Sequence, residues 1–125
     1  MTGDDAAFDF AKLERLAAPV RHLEAGEKVF LENETGTVMY MVRSGRIDVL
    51  TYGTVLENVR AGGIFGEMAL IDDAPRSAAA IAAEPSSVFT IDKSTFLALV
   101  RDEPEFALRV MHVLAARIRR MNQQI

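Results

Sequence analysis

Short apolar runs interrupted by turn signals fill the middle of the chain, and longer helical periodicities flank them. Over residues 6–17, AAFDFAKLERLA, the positions Phe10, Leu13 and Leu16 recur at helical spacing, with Asp4 or Asp5 placed to cap the first turn. From residue 18 to 60 the texture changes. AGE at 25–27, ENETG at 32–36, RSG at 43–45 and YG at 52–53 separate KVFL, VMYMV and RIDVLTY, which read as strands. Turns about every 8 to 12 residues predict an all-β sandwich or barrel. The stretch between 52 and 60 reads as a short loop. SAAAIAA at 77–83 is helical by the propensity of alanine. The break at Glu84-Pro85 and the strand-like SVFTI that follows pull the other way, and pattern alone leaves 77–83 undecided.

The last third is helical. Ser94 stands where it can cap TFLALV, and Asp102 or Glu103 before Pro104 marks a second start, since proline is tolerated in a first helical turn. PEFALRVMHVLAARIRRMNQQI then runs without Gly or Pro. In it Leu108, Met111, Ala115, Ile118, Asn122 and Ile125 recur at steps of three and four, an a/d-type seam. Such a stripe packs either on the domain's own core or on a second copy of the chain. An Asn at a seam position is a register-fixing device, which favours the dimer.

Composition narrows the class. At 125 residues, half of them apolar, the chain is expected to be a single globular domain: a helix within 1–17, strands over 18–92 and helices over 93–125. No apolar run approaches the roughly 18 residues needed to cross a bilayer. The acidic start MTGDDAAFDF lacks the basic residues of a signal peptide, so a cytoplasmic location is expected. Without cysteine, disulfides, thiolate metal sites and iron–sulfur clusters are excluded. The net charge of −4 argues against a surface given over to nucleic acid. After Glu105, however, only cations follow: Arg109, Arg117, Arg119 and Arg120. They suit a helix C-terminus, or a surface that meets phosphate or an acidic partner.

The chemistry concentrates in RAGGIFGEMALIDDAPRSA, residues 60–78. Gly66 precedes a short potential helix, EMALI, whose first N–H groups lack intrahelical acceptors and can receive an anion. Arg76 offers a planar fork suited to two phosphate oxygens. Glu67 would repel a phosphate, but it accepts from a hydroxyl a few ångströms away. An anion cradle, a hydroxyl acceptor and an apolar wall together describe a site for a nucleotide monophosphate. From spacing alone, an unrelated surface acid and base flanking a loop remain the alternative.

Phe65-Gly66-Glu67-Met68-Ala69-Leu70 and Pro75-Arg76-Ser77-Ala78 resemble the phosphate-binding cassette of the cyclic nucleotide-binding domain family, here spanning 65–78. The resemblance covers almost the whole chain. PVRHLEAGEKVFLENETGTVMYMVRSGRIDV is similar to the family's first strands, with Gly26, Gly36 and Gly45 at turns. TFLALVRDEPEFALRVMHVLAARIRR is similar to the C-terminal helices of the bacterial cyclic-AMP receptor proteins. It implies a mainly β fold: an eight-stranded β-roll, jelly-roll-like, with an N-terminal helix and two C-terminal helices, the last one long. It also implies that 77–83 is a strand. Carried over, Glu67 takes the ribose 2′-hydroxyl and Arg76 the cyclic phosphate. Backbone N–H groups near Gly66, Met68 and Ala69 assist, Ser77 lies beside the phosphate or base, and Met121 and Asn122 fall where the long helix caps the purine.

The function expected from this resemblance is a stand-alone regulatory module. It would bind cyclic AMP, or cyclic GMP, and signal through its last helix to a dimer mate or a partner protein. A ligand-free dimerisation scaffold of the same fold is the alternative. The chain ends at Ile125 within the long helix, so direct sequence-specific DNA binding is not expected, nor is membrane insertion. No catalytic residue, metal or cofactor is expected. A jelly-roll metalloenzyme needs clustered ligands, and His22 and His112 stand far apart with no HxH pair.

Overall fold

A computed structural model describes residues 10–123. Helix α1 (Ala11–Arg15) leads into β1 (Val20–Leu23), β2 (Lys28–Phe30), β3 (Met39–Ser44), β4 (Arg46–Thr51), β5 (Thr54–Arg60) and β6 (Ile64–Phe65). A short helix, α2 (Glu67–Asp72), precedes β7 (Ala79–Ala82) and β8 (Ser86–Ile91), and α3 (Lys93–Asp102) and α4 (Glu105–Gln123) follow. The strands form two antiparallel four-stranded sheets, ordered β1-β8-β3-β6 and β2-β7-β4-β5. This is the mainly β roll with flanking helices that the resemblance implies.

The central strands of the first sheet, β3 and β8, are largely buried on both faces, and their sequence says why. Along β3, Met39 and Met41 join α1, α3 and α4 through Leu13, Leu99 and Phe106, while Tyr40 and Val42 point into the roll. Along β8, Phe89 and Ile91 face the helices and Val88 faces the roll. Successive side chains of a strand alternate faces, so a strand covered on both sides reads as a continuous apolar run. VMYMV is such a run, and SVFTI carries Val88, Phe89 and Ile91 beside the polar Ser87 and Thr90. Phe10 and Leu16 pack with Leu13 on the helical side, as their spacing predicts, whereas the cap expected at Asp4 or Asp5 lies outside the described residues.

Residues 77–83 resolve as strand. Ala80 and Ala82 are fully buried between the sheets, and β7 is paired on both sides, to β2 and to β4. Small side chains suit that narrow interior, and alanine's helix preference, worth tenths of a kcal/mol per residue, yields to the ladder.

Two expectations are corrected. The stretch 52–60 is not a loop: Tyr52 and Gly53, both with positive φ (51° and 76°), form a two-residue turn into β5. Only Val59 of that strand is buried, so no inward alternation marks it. Helix α3 is capped by Asp92, whose side chain accepts from the Thr95 N–H at 2.8 Å, and Ser94 lies inside the helix.

Helix α4 packs on the core through Phe106, Val110, Val113 and Leu114. The predicted seam does not share that face. Leu108, Met111 and Ile118 are each more than half exposed and Asn122 is exposed, while Ile125 lies outside the described residues. Among the described residues no helix is long and apolar enough to cross a membrane.

Candidate functional site

Strand β5, the turn from β6 into α2, residues 75–78 and the second half of α4 converge on a cavity of about 230 Å³. Phe30, Val49, Leu56 and Phe65 give it apolar walls. Gly66, Met68, Ala69, Arg76 and Ser77 line it as well, as do Glu57, Arg117 and Arg120.

Gly66 makes the turn possible. Its φ of 76° disfavours any L side chain, and a Cβ there would meet Arg76 Nη1 at 2.9 Å and Phe30 Cε2 at 3.2 Å. The turn delivers Glu67, the first residue of α2, into the interior with 1% of its surface exposed. Arg117 Nη1 donates to Glu67 Oε2, crossing from α4 to α2. The same guanidinium donates from Nε to Glu57 Oε1 at 3.0 Å and from Nη2 to Glu57 Oε2 at 3.3 Å. Burial alone would lower the Arg117 pKa, but the charges of Glu67 and Glu57 and the hydrogen bonds to them outweigh it and raise it. Glu67 Oε1 is buried and has no hydrogen-bond partner among the described residues.

Arg76 is 5% exposed and tightly held. Nη1 donates to Gly66 O and Nη2 to Val38 O, both at 2.9 Å, and the guanidinium carbon sits 4.1 Å above the Phe30 ring. Burial lowers its pKa, an effect opposed by the neighbouring Tyr40 and by the negative charges of Glu34 and Glu67. Those two bonds engage two of the five N–H donors a guanidinium carries.

The structure therefore brings Glu67, Arg76, Gly66, Met68, Ala69 and Ser77 to one cavity. It does not bring Asn122 there: α4 contributes Arg117 and Arg120 to the lining, and the side chain of Met121 lies outside what is described. Arg117 and Glu57 are site residues that sequence reasoning missed. The cationic run after Glu105 was the available signal for the arginine, while Glu57 sat in a segment read as loop. Among the described residues no group of three or more His, Asp or Glu is placed to hold a metal ion.

A cavity lined by an arginine fork, a glutamate with one unpaired oxygen and several apolar side chains suits a ligand that carries an anion, a hydroxyl and a flat apolar body. Residues 20–103 match the profile of the family described as "Cyclic nucleotide-binding domain". The chain belongs to this family.

Similar proteins include the cyclic AMP receptor protein of Thermus thermophilus, 30% identical over 105 residues, which are 80% of this chain and 49% of that protein. A cAMP-dependent protein kinase regulatory subunit from Yarrowia lipolytica is 32% identical over 63% of this chain and 21% of its own length. The chain thus spans about half or less of the curated relatives it matches. Among solved structures, the catabolite activator protein of Thermus thermophilus superposes with a TM-score of 0.79 at 26% identity, covering 94% of this chain and 59% of that one. A structure from work on a cyclic-GMP-dependent signalling pathway in bacterial phytopathogenesis gives 0.72 at 26% identity, covering 94% of both chains. This cyclic nucleotide-binding fold thus recurs both within longer proteins and in a chain matched almost end to end.

Proposed function

We propose that residues 1–125 act as a single cyclic nucleotide-binding regulatory module. It takes cyclic AMP or cyclic GMP in the roll, performs no catalysis, and passes occupancy through α4 to a second copy or a partner protein. The observation that carries the reading is Glu67 Oε1, a buried acceptor without a donor, on a residue that lines the same cavity as Arg76. An unmatched buried acceptor costs about 1–3 kcal/mol, and a ribose 2′-hydroxyl supplies the missing proton. Glu67 then divides its labour, Oε2 to Arg117 and Oε1 to the ligand.

Arg76, steadied by two carbonyls and the Phe30 face, turns its remaining donors to the cyclic phosphate, with Ser77 and the N–H groups at Gly66, Met68 and Ala69 beside it. Three arginines and two glutamates line the cavity, leaving one positive charge for the single negative charge of a cyclic phosphodiester. Val49 and Leu56 offer apolar faces to the base. The family, and relatives named for cyclic AMP, support this ligand class. Cyclic AMP is the first ligand to test and cyclic GMP the second. Confinement of the module to the cytoplasm belongs to the same proposal.

The scaffold alternative finds support in the Arg117–Glu67 pair, which satisfies half of the carboxylate with no ligand. Calorimetric titration separates the two. Cyclic AMP or cyclic GMP is expected to bind, and at 100 times its dissociation constant to stabilise the fold by about 2.7 kcal/mol. Arg76→Ala should remove most affinity. Glu67→Ala should weaken ribose nucleotides about tenfold and bind the 2′-deoxy analogue as the native protein does. No heat and no melting shift with either nucleotide at millimolar concentration would leave the scaffold.

A further inference from the structure

We propose that Gly36, outside the cassette and outside the cavity lining, is a positioning residue for the phosphate site. The inference rests on the nucleotide reading above and extends it to the β2–β3 loop. That loop grips Arg76 along its length. The Asn33 N–H donates to Arg76 O at 2.8 Å, the Arg76 N–H donates to Glu34 O at 2.9 Å, and Val38 O receives Nη2 at 2.9 Å. Between these anchors Gly36 lies directly against the guanidinium. A Cβ at Gly36 would come within 2.6 Å of Nη2, 2.7 Å of Nε and 2.8 Å of Cζ.

The guanidinium therefore occupies a slot. Gly36 closes one side, the Phe30 ring another at 4.1 Å, and Gly66 lies near Nη1, where its own Cβ would reach 2.9 Å. Contacts under 3.0 Å do not persist, so a methyl at Gly36 forces a movement. An arginine end is ordinarily free to swing away. This one is held by two carbonyls and stacked on a ring, so moving it means breaking those bonds or shifting the loop. Either way the donors that would face the phosphate are displaced, although Gly36 itself never touches the ligand. A fork binding two oxygens depends on its placement far more than a point charge does.

A double-mutant cycle tests the idea, with cyclic AMP and cyclic GMP as probes and calorimetry as readout. Gly36→Ala should lower affinity about tenfold or more, the size of one charge-assisted hydrogen bond. Arg76→Ala should lower it further, and the double variant should match Arg76→Ala. Native-like binding by Gly36→Ala overturns the proposal. So does a double variant clearly weaker than Arg76→Ala, because Gly36 would then act by another route. Ligand-free melting covers the case in which Gly36→Ala fails to fold. If the double variant folds, the guanidinium was the obstacle and the slot stands; if both fail, the slot is wrong. A native protein that binds neither nucleotide overturns the nucleotide reading and the phosphate role of Gly36 with it. The melting cycle would still separate that failure from an absence of coupling between the two residues.

Discussion

Asp92 shows how one carboxylate sets the edge of an element. It accepts from the Thr95 N–H at 2.8 Å and the Ser94 hydroxyl at 3.3 Å, and these bonds hold its pKa below the ordinary value. With the folded pKa depressed, the cap stabilises fully above the unfolded value of about 4 and is lost as pH falls through the lowered one. Asp92→Ala should cost about 1 kcal/mol in urea denaturation at neutral pH, and that penalty should shrink in acid. A penalty independent of pH would disprove the ionised cap. The choice of Asp92 over Ser94 turned on a backbone dihedral that residue identity does not reveal, since both are good caps. Glu67 and Arg76 were singled out because the cassette holds both within ten residues. Spacing alone left them as unrelated charges and only the resemblance gave them roles; the structure brings both to one cavity. Glu57, Arg117 and Gly36 were not legible in this way, because each acts on a residue tens of positions away.

At the scale of elements, Glu57 fastens α4 to the β4–β5 hairpin. It takes two hydrogen bonds from Arg117 and lies 3.9 Å from Arg120, and Arg120 also reaches Leu56 O at 3.5 Å. The Arg117–Glu57 pair is largely shielded, with 20% and 24% of the side chains exposed, so it is worth more than the few tenths of an open surface pair. Glu57→Gln keeps the shape and removes the charge. Amide exchange over residues 113–120 should then quicken about fivefold, the equivalent of about 1 kcal/mol of local stability. Unchanged exchange would mean that apolar packing alone holds the helix. Strand β3, covered on both faces, announced itself in the sequence as an unbroken apolar run, and β8 did so through Val88, Phe89 and Ile91. Strand β5 did not, because it buries little, and the alanines of β7 spoke for a helix until two neighbouring strands outbid them.

For the whole molecule, the outward stripe of α4 is the feature that calls for a companion. Leu108, Met111 and Ile118 are 63%, 55% and 58% exposed along one face of a helix whose opposite face fills the core. A second copy pairing the same stripes would cover both. The chain is expected to sediment as a dimer, and Ile118→Glu should yield monomers with the same thermal stability per chain at high dilution. A native protein that sediments as a monomer at micromolar concentration would assign the stripe to a different partner. The β class was legible from turn spacing, but the order of strands in the sheets was not, because it joins segments that local pattern cannot relate. Val20 pairs with Phe89 and Leu23 with Ser86, so among the described strands the first ladders only with the last. On the ribosome, β1 emerges long before its partner exists. At about 5–20 residues per second it waits on the order of 3–14 s for β8. Through that interval VRHL has no ladder, and whatever shields it then is a requirement of synthesis that the finished roll no longer displays.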